Sequence, residues 1–355
     1  MLKKLIPLIL CLCLIVGGVG CSKNKTETLD VDKGEGMSSV ESSSESEPIE
    51  EEKDILAQNP LTGLYDISFE ALNNRPVAIM VNNISVAQSV QTGLNNADII
   101  YETEVEGGIT RLMAVYQDIS KVAKIGTVRS ARYVYIDLAM GHNAIYVHHG
   151  TDENYAAPHL KDTDNFVVDE NNGGERINNG KAREHTLYAH GDKVWANILK
   201  SNRKIENDQK GNWMKFADPD TKVKYEHDAE SVSVPFSGSY TTTFKYDPAT
   251  ERYVRYFSGT ERKDFVTGES VTVKNVFVLN TDMSHYPIQK YRKISLEKGT
   301  GYYFVNGTYT EINWRKGADD DSFVFETTNG AELTVNAGDS WVCIADKNNS
   351  KPEIK

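Results

Sequence analysis

Residues 97–116 read ADIIYETEVEGGITRLMAVY, two segments rich in apolar side chains on either side of Gly107-Gly108. Their alternating pattern predicts two neighbouring strands, Ala97 to Glu106 and Ile109 to Tyr116, because the side chains of a strand point alternately to its two faces. The segments before and after these two strands contain further predicted strands, so the sequence predicts a fold built on sheets.

A two-residue turn at Gly107-Gly108 determines which side chains share a face. It pairs Glu106 with Ile109 and therefore Glu104 with Arg111. One face then carries a concentrated polar group, made of Glu102, Glu104, Glu106 and Arg111. This group fits a solvated outer face with a cross-strand ion pair as well as it fits a ligand or metal site, so both alternatives stay open.

The rest of the chain divides into two halves with different patterns. An unbroken apolar run, Pro76 to Val81, predicts a strand buried on both faces, and from there to Ser201 short strands alternate with helical stretches. From Ser231 to Ala345 only strands and turns are predicted, with Asn-Gly turns at Asn306-Gly307 and Asn329-Gly330 and a third hairpin around residues 247–250.

The predicted fold class is α+β, a mixed α/β N-terminal domain with a central sheet followed by a small all-β antiparallel C-terminal domain. The predicted boundaries are 1–21 for a signal peptide, 22–58 for a tether, 59–205 for the N-terminal domain, 206–230 for a connection, 231–346 for the C-terminal domain and 347–355 for a tail.

The first 21 residues have the features of a targeting signal. Lys3 and Lys4 precede an apolar run that is too short for a comfortable membrane span, and the run ends at Cys21. The end of the run resembles the lipobox of bacterial lipoproteins, although Gly18 stands where Leu is usual. The resemblance implies that Cys21 is diacylated and anchors the chain to a membrane; the alternative is an ordinary secretory signal or an uncleaved anchor.

The charge and the cysteines are unevenly placed. Residues 22–58 hold eleven acidic residues against four lysines and many serines, which predicts a disordered acidic tether. A net charge of -12 argues against sequence-independent nucleic-acid binding, which needs a basic face. After removal of the signal only Cys21 and Cys343 remain, and the apolar strand pattern around Cys343 predicts that this thiol is a core residue.

A short arginine-rich segment precedes a predicted helix from Tyr133 to Met140. Ser130 is in a position to cap the helix, and Arg129 and Arg132 flank its N-terminus, where backbone N–H groups favour an anion. Arginine adds planar two-pronged donors for phosphate or carboxylate. The alternative is that these arginines pair internally with Glu102, Glu104 or Asp137.

Six of the eight histidines lie between His142 and His190, and His148 and His185 are the candidates for lining a cleft. No histidine spacing matches a recognised metal-ligand pair, so no metal and no cofactor are predicted. The chain also lacks a Gly-x-Ser-x-Gly motif, a P-loop and a nucleotide fingerprint, which removes support for those hydrolase and NTPase classes.

Several long motifs carry a family resemblance. They are NPLTG at 59–63, RPVAIMVNN at 75–83, GLNNADIIYE at 93–102, VEGGITR at 105–111, VRSAR at 128–132 and, in the second half, Trp314 with GDSWV at 338–342. Together they resemble the YerB-type family of bacterial surface lipoproteins, a two-domain family of unknown function. Where that family tends toward Pro-His-Asn, this chain has Glu184-His185-Thr186.

The resemblance implies an extracytoplasmic protein that is lipid-anchored to the outer face of the cell membrane of a Gram-positive bacterium, but it implies no reaction. Two functions remain. The favoured one is a binding protein whose N-terminal domain holds an anionic envelope ligand or an envelope protein, through Arg111, Arg129, Ser130, Arg132, His148 and His185. The alternative is an envelope phosphotransferase or hydrolase whose catalytic candidates are Glu102, Glu104 and His148.

Overall fold

A computed structural model describes residues 56–208, 213–288 and 291–355, which form one compact unit. The predicted signal peptide, with Cys21, and the predicted tether up to residue 55 lie outside these residues. Ala57–Gln58, which the prediction assigns to the tether, form a strand that pairs with Tyr65–Ile67. Within the described part of the chain, no helix is long and apolar enough to cross a membrane.

Among the described residues, the α-helices all lie in the first half of the chain. They are α1 Phe69–Asn73, α2 Tyr133–Met140, α3 Ala156–His159 and α4 Gly191–Lys200.

The strands of the first half are short, apart from the three that follow the predicted apolar runs. They are β1 Ala57–Gln58, β2 Tyr65–Ile67, β3 Val77–Asn82, β4 Ile99–Glu104, β5 Thr110–Tyr116, β6 Ile125–Gly126, β7 Ile145–His148, β8 Asn165–Val167, β9 Gly174–Arg176 and β10 Leu187–Ala189.

The second half contains only strands and turns in the described ranges 213–288 and 291–355, as the sequence predicts. The strands are β11 Lys215–Phe216, β12 His227–Asp228, β13 Ser231–Ser237, β14 Tyr240–Asp247, β15 Arg252–Phe257, β16 Thr260–Glu261, β17 Thr272–Val273, β18 Asn275–Thr281, β19 Met283–His285, β20 Arg292–Ile294, β21 Lys298–Val305, β22 Thr308–Lys316, β23 Phe323–Thr327, β24 Thr334–Val335, β25 Ser340–Asp346 and β26 Glu353–Ile354.

One large sheet runs through both halves of the chain. Its order is β12-β22-β21-β18-β25-β4-β5-β3-β7-β8, with β23 added beside β22. Strand β25 is the junction, because it pairs with β18 of the second half and with β4 of the first half. Both pairings are parallel, so the prediction of a purely antiparallel second half is only partly right. The long connections that lead from β4 and from β18 to β25 are what allow parallel neighbours.

Each face of this sheet is buried in its own core. On one face, Ile100, Leu112 and Trp341 belong to a cluster with residues of the second sheet, whose order is β16-β15-β14-β13-β26 with β17 beside β15, and with Ile198 of α4. On the other face, Tyr101 and Val342 pack with α2. Burial on both faces explains why β3, β4, β5 and β25 consist entirely of buried residues.

The hairpin at Asn306-Gly307 is confirmed. Val305 pairs with Thr308, and both loop residues have positive φ, 49° and 75°, as a two-residue type I′ turn requires. The third predicted hairpin is confirmed as β14 paired with β15. At Asn329-Gly330 the chain also reverses direction, with an antiparallel bridge between Glu326 and Glu332 and main-chain bonds from Thr327 N to Ala331 O and from Leu333 N to Phe325 O. The ladders of β23 and β24 are formed with β22 and β11.

The register predicted at Gly107-Gly108 is wrong by one residue. Glu104 pairs with Thr110, and Thr103 pairs with Arg111, because residues 105–109 form a longer loop with a 3₁₀ turn at Glu106–Gly108. A shift of one residue moves a side chain to the opposite face of a sheet. Arg111 therefore lies on the face of Thr103 and not on the face of Glu102, and Glu106 lies outside the strand.

We expect the shared strand β25 to make both halves unfold together. Ile344 is completely buried between the neighbouring strands β18 and β4, so Ile344→Ala should lower the free energy of unfolding by about 2–5 kcal/mol. Urea unfolding should show a single transition, with the same midpoint whether it is followed by far-UV circular dichroism or by tryptophan fluorescence.

The control is Val266→Ala, at a side chain that is 58% exposed, where we expect a change of less than about 0.5 kcal/mol. Two separated transitions in the wild-type chain would contradict the shared-strand account.

Candidate functional site

Glu102, a predicted catalytic candidate, lies in the core. Its side chain is completely buried, and its Oε1 accepts hydrogen bonds from Asn83 Nδ2, Thr110 Oγ1 and Thr242 Oγ1, each at 2.9 Å. Its Oε2 accepts a bond from Trp341 Nε1 at 3.1 Å. This carboxylate is fully engaged by protein donors.

A buried arginine stands near Glu102. Arg255 is completely buried, its Nη2 donates to Asn83 Oδ1 at 3.0 Å, and its guanidinium lies 4.7 Å from the centre of the Trp341 ring. Burial lowers the pKa of Arg255 to about 10, and the negative charge of Glu102 opposes that shift. Glu102 and Arg255 therefore compensate each other in the core, and we name them, with Asn83 and Trp341, the buried charge network.

Glu104 and His148 have other partners. Glu104 forms an ion pair of 2.9 Å with Arg292, while burial raises the pKa of its carboxyl. His148 is buried with its ring nitrogens 2.8 Å from Gly150 O and 3.3 Å from Asn165 Oδ1, and burial lowers its pKa. The structure thus gives the three predicted catalytic candidates separate sets of partners and does not bring them together.

Glu106 joins two of the predicted ligand-binding arginines. Its Oε2 accepts a 2.8 Å bond from Arg132 Nε, and its Oε1 accepts from Arg132 Nη2 and lies 3.3 Å from Arg111 Nη2. Burial alone would raise the pKa of Glu106, but the bonds from Arg132 and the charges of both arginines outweigh it and lower the pKa. Burial lowers the pKa of Arg111 to about 10, with a further contribution from Arg132. Arg132 and Arg111 are therefore paired internally through Glu106. The sequence had suggested Glu102, Glu104 or Asp137 as the partner of Arg132 and the cross-strand Glu104 as the partner of Arg111.

The start of helix α2 also differs from the prediction. The helix begins at Tyr133, its N-cap residue is Arg132, and no side chain caps it. Ser130 lies two residues too early to be the cap, and the main chain of residues 129–131 bonds to neighbouring segments instead. Ser130 O accepts a bond from Arg111 Nη1, and Ala131 N donates to Gly150 O at 2.9 Å.

Arg129 and Ser130 instead line an open cleft of about 400 Å³ on the first half of the chain. We name it the arginine cleft. Its polar lining consists of Arg129, Ser130, His149, Arg176, Arg183 and Glu184.

Main-chain bonds hold the walls of the arginine cleft together. Arg129 N donates to Met80 O of β3 at 3.1 Å, and His149 N, just after β7, donates to Arg129 O at 3.0 Å. Gly150 has a φ of 82°, a conformation that favours glycine, and a Cβ there would lie 3.0 Å from Ser130 Oγ, so a side chain at this position would strain the backbone and press on Ser130. Arg176 ends β9, and Arg183 lies in a 3₁₀ turn.

The cleft has three guanidinium groups and two nearby carboxylates. Arg129 pairs with Glu184 at 3.1 Å, and Glu170 lies 2.8 Å from Arg176 and 3.4 Å from Arg183. The Glu184 side chain is 58% exposed and that of Glu170 is 45% exposed. Exposed pairs of this kind contribute at most about 1 kcal/mol, so an anion can displace these carboxylates from the arginines at low cost.

Two histidines at the cleft are fixed by hydrogen bonds. His149 Nδ1 donates to Val168 O at 2.8 Å, and its Nε2 accepts from Arg176 Nη2 at 3.1 Å. His185 Nδ1 accepts from Asn82 Nδ2 at 2.8 Å, and its Nε2 lies 3.4 Å from Glu184 Oε1. Burial lowers the pKa of His185, and Glu184 partly opposes that shift. Both imidazoles are held in a single orientation.

Two larger cavities, of about 520 and 550 Å³, lie elsewhere. The first is lined mainly by apolar and aromatic residues, including Trp213 and Phe325. The lining of the second is mixed, and its charged residues are three aspartates and Lys121. Neither gathers several cations. The arginine cleft is therefore the best candidate for recognising an anion.

The structure thus separates the predicted ligand-binding set. Arg129 and Ser130 line the cleft and His185 adjoins it through Glu184, whereas Arg111 and Arg132 bind Glu106 and His148 is buried behind Gly150. Sequence reasoning missed Arg176, Arg183 and His149. The Gly/Asn-rich loop of residues 171–174 was the available signal, since such loops carry functional groups. The anion site itself stays a prediction.

Comparisons with known proteins give the same family for both halves of the chain. Residues 61–204 match the model described as Protein of unknown function (DUF3048) N-terminal domain, and residues 232–342 match the DUF3048 C-terminal domain. Putative lipoprotein YerB of Bacillus subtilis (strain 168) is 30% identical over 298 residues, which cover 80% of this chain and 85% of that protein. The crystal structure of YerB protein from Bacillus subtilis superposes with a TM-score of 0.71 at 26% identity and covers 84% of this chain and 99% of that one.

The buried charge network can be tested with a double-mutant cycle. Arg255→Met keeps the side-chain volume but leaves Glu102 as an uncompensated buried charge, so we expect the free energy of unfolding to fall by about 3–5 kcal/mol. Adding Glu102→Gln should recover at least about 1 kcal/mol of that loss in urea unfolding. Additive losses from the two substitutions would show that the charges are not coupled.

The pairing of Glu106 predicts a specific acid sensitivity. Its pKa in the folded chain lies below the ordinary 4.5, so its contribution to stability is present above pH 4.5 and is lost as the pH falls through the folded-state value. Glu106→Gln should therefore lower the melting temperature at pH 7. The difference in melting temperature between this variant and the wild type should shrink below about pH 4.5. Glu311→Gln, on the exposed face of β22, is the control. It should change neither the melting temperature at pH 7 nor the dependence of the melting temperature on pH. An equal difference from wild type at pH 7 and at pH 3 would contradict the pairing.

Proposed function

The chain belongs to the DUF3048 family, and on that basis we propose that it is a lipid-anchored extracytoplasmic binding protein whose arginine cleft holds an anionic ligand of the cell envelope. The proposal has two parts, the anchor and the cleft, and different observations support them.

The anchor is supported by the sequence around Cys21 and by the name of the relative. The apolar run before Cys21 has the length of a signal sequence, and Gly20 supplies the small residue that precedes a lipidated cysteine. The Bacillus subtilis relative is named as a lipoprotein. Two acyl chains on Cys21 provide a stable membrane anchor, since a single chain binds only marginally.

The arginine cleft carries the ligand-binding part of the proposal. Three guanidinium groups from three separate segments, Arg129, Arg176 and Arg183, converge on one open cleft. Their nearest carboxylates are exposed and replaceable. A chain with a net charge of -12 has no general reason to gather cations at one place, so this local exception points to a ligand of opposite charge.

The geometry fits a phosphate-bearing or carboxylate-bearing ligand. Guanidinium groups bind both through paired N–H donors, and these charge-assisted bonds are stronger than neutral ones. His149 and Ser130 add shorter polar groups at the wall of the cleft, and the buried Arg111 behind Ser130 adds positive charge. The cleft is open enough to admit one end of a longer molecule.

Binding has more support than catalysis. The catalytic candidates Glu102, Glu104 and His148 are engaged by separate internal partners, and none of them lines the arginine cleft. Within the cleft, both nitrogens of His149 are occupied by hydrogen bonds, which leaves that imidazole poorly placed as a base.

Isothermal titration calorimetry tests the cleft. The full chain in detergent is titrated with pyrophosphate and, separately, with citrate. We expect binding that weakens with ionic strength, because exposed charges are screened by salt. Arg176→Ala combined with Arg183→Ala should weaken binding by about tenfold or more, since each lost charge-assisted bond contributes on the order of 1.5–3 kcal/mol.

The matched control is Arg315→Ala, at a side chain that is 62% exposed on β22 and should keep wild-type affinity. Arg315→Ala should keep the wild-type melting temperature within about 2 °C, because surface substitutions change stability little. The double variant also loses the bonds from Arg176 to Arg183 O and to His149 Nε2, so its affinity is measured below its own melting temperature, with far-UV circular dichroism as the check that it is folded. Equal affinity of the double variant and the wild type, or no binding of either probe, would overturn the proposal.

A further inference from the structure

A second group of side chains converges away from the arginine cleft. Asp137 lies on α2, His159 ends α3, and Asp319 lies in the loop between β22 and β23. One oxygen or nitrogen atom of each lies within 4.8 Å of the corresponding atoms of the other two. The three residues come from distant parts of the chain, so their approach results from the tertiary fold and not from a local acidic run.

We propose that Asp137, His159 and Asp319 form a binding site for a divalent first-row transition cation such as Zn²⁺. One imidazole nitrogen with two carboxylate oxygens is a mixed ligand set. The nitrogen favours first-row transition metals, whereas Ca²⁺ and Mg²⁺ prefer oxygen ligands alone.

Two of the ligands are already held in place. Asp137 is buried, and its Oδ1 lies 2.6 Å from His159 Nε2. The imidazole packs against the ring of Tyr133 in a tilted arrangement with 4.8 Å between ring centres, and His159 O accepts a bond from Thr163 Oγ1 at 2.9 Å. Bound metal would replace the contact between Asp137 and His159 and use the same two atoms, which would separate from 2.6 Å to about 3.3–3.6 Å.

The charge around the group favours a cation. Asp320 and Asp321 follow Asp319 directly, so four carboxylates lie near one ammonium group, that of Lys316. Lys316 Nζ donates to the main-chain oxygens of Ala318 and Asp319, at 2.8 and 2.5 Å. Among the described residues, none donates a hydrogen bond to the Asp319 carboxylate, which is therefore available as a ligand.

The third ligand needs only a small adjustment. Bonds from Zn²⁺ to nitrogen and oxygen are about 2.0–2.2 Å long, so tetrahedral ligand atoms lie about 3.3–3.6 Å apart. Closing a gap of up to 4.8 Å requires the exposed Asp319 to move by roughly an ångström. Three protein ligands leave one position of a tetrahedral site for water or for a ligand from solution.

Zinc titration by calorimetry tests this site. The full chain is purified in detergent without a polyhistidine tag and titrated with Zn²⁺ alone. We expect one equivalent to bind. Asp319→Asn should weaken the binding by about tenfold or more, and His159→Ala should abolish it, because each removes one of three ligands. Mg²⁺ should not compete.

Asp320→Asn is the matched control, since it removes the same charge from the same loop but leaves the ligand set intact. Its affinity should stay within about twofold of wild type. Asp319 is exposed, so the Asp319→Asn chain should fold normally even where His159→Ala does not, which far-UV circular dichroism checks. Equal loss in Asp319→Asn and Asp320→Asn, wild-type binding in both, or no stoichiometric binding to the wild-type chain would overturn the proposal.

Discussion

The strand Ser340–Asp346 is the part of the chain on which both halves of the structure depend. It pairs in parallel with β4 on one side and with β18 on the other, so the large sheet is continuous only through this strand. The same strand supplies Trp341, which donates to Glu102 and packs under Arg255. Strand β25 thus belongs to the central hydrogen-bonded ladder of the sheet and also contacts the compensated buried charges Glu102 and Arg255. Any other arrangement of the two halves would separate Glu102 from Arg255. It is disfavoured because an unpaired charge in a core is costly.

The charged residues of this arrangement fall into two groups, those that are paired inside the fold and those that a ligand can reach. Glu102 with Arg255, and Glu106 with Arg111 and Arg132, satisfy each other inside the fold. Arg129, Arg176 and Arg183 are different, because their partners are exposed carboxylates that solvent can replace. Main-chain bonds to β3 and to the residues after β7 hold the wall behind these arginines in position without a ligand.

Much of the fold could be predicted from local patterns, and the site could not. The run at 76–81, the helix Tyr133–Met140 and the turn at Asn306-Gly307 follow from periodicity and turn chemistry, which act over a few residues. The register at Gly107-Gly108 failed because two glycines with positive φ suit a longer loop as well as a two-residue turn. Arg176 and Arg183 were missed because a three-residue strand and a 3₁₀ turn are too short to give a periodic signal. Asp137, His159 and Asp319 were missed because only the tertiary fold brings them together.

The position of β25 in the chain has a consequence for biogenesis. Strand β4 leaves the ribosome about 240 residues before its partner β25, and it has no neighbour on that edge until the partner arrives. Contacts this distant in sequence form slowly, and an unpaired edge invites association with other chains. The large sheet therefore cannot close before residues 340–346 have been synthesised, and the two halves of the chain reach their final arrangement only at the end of synthesis.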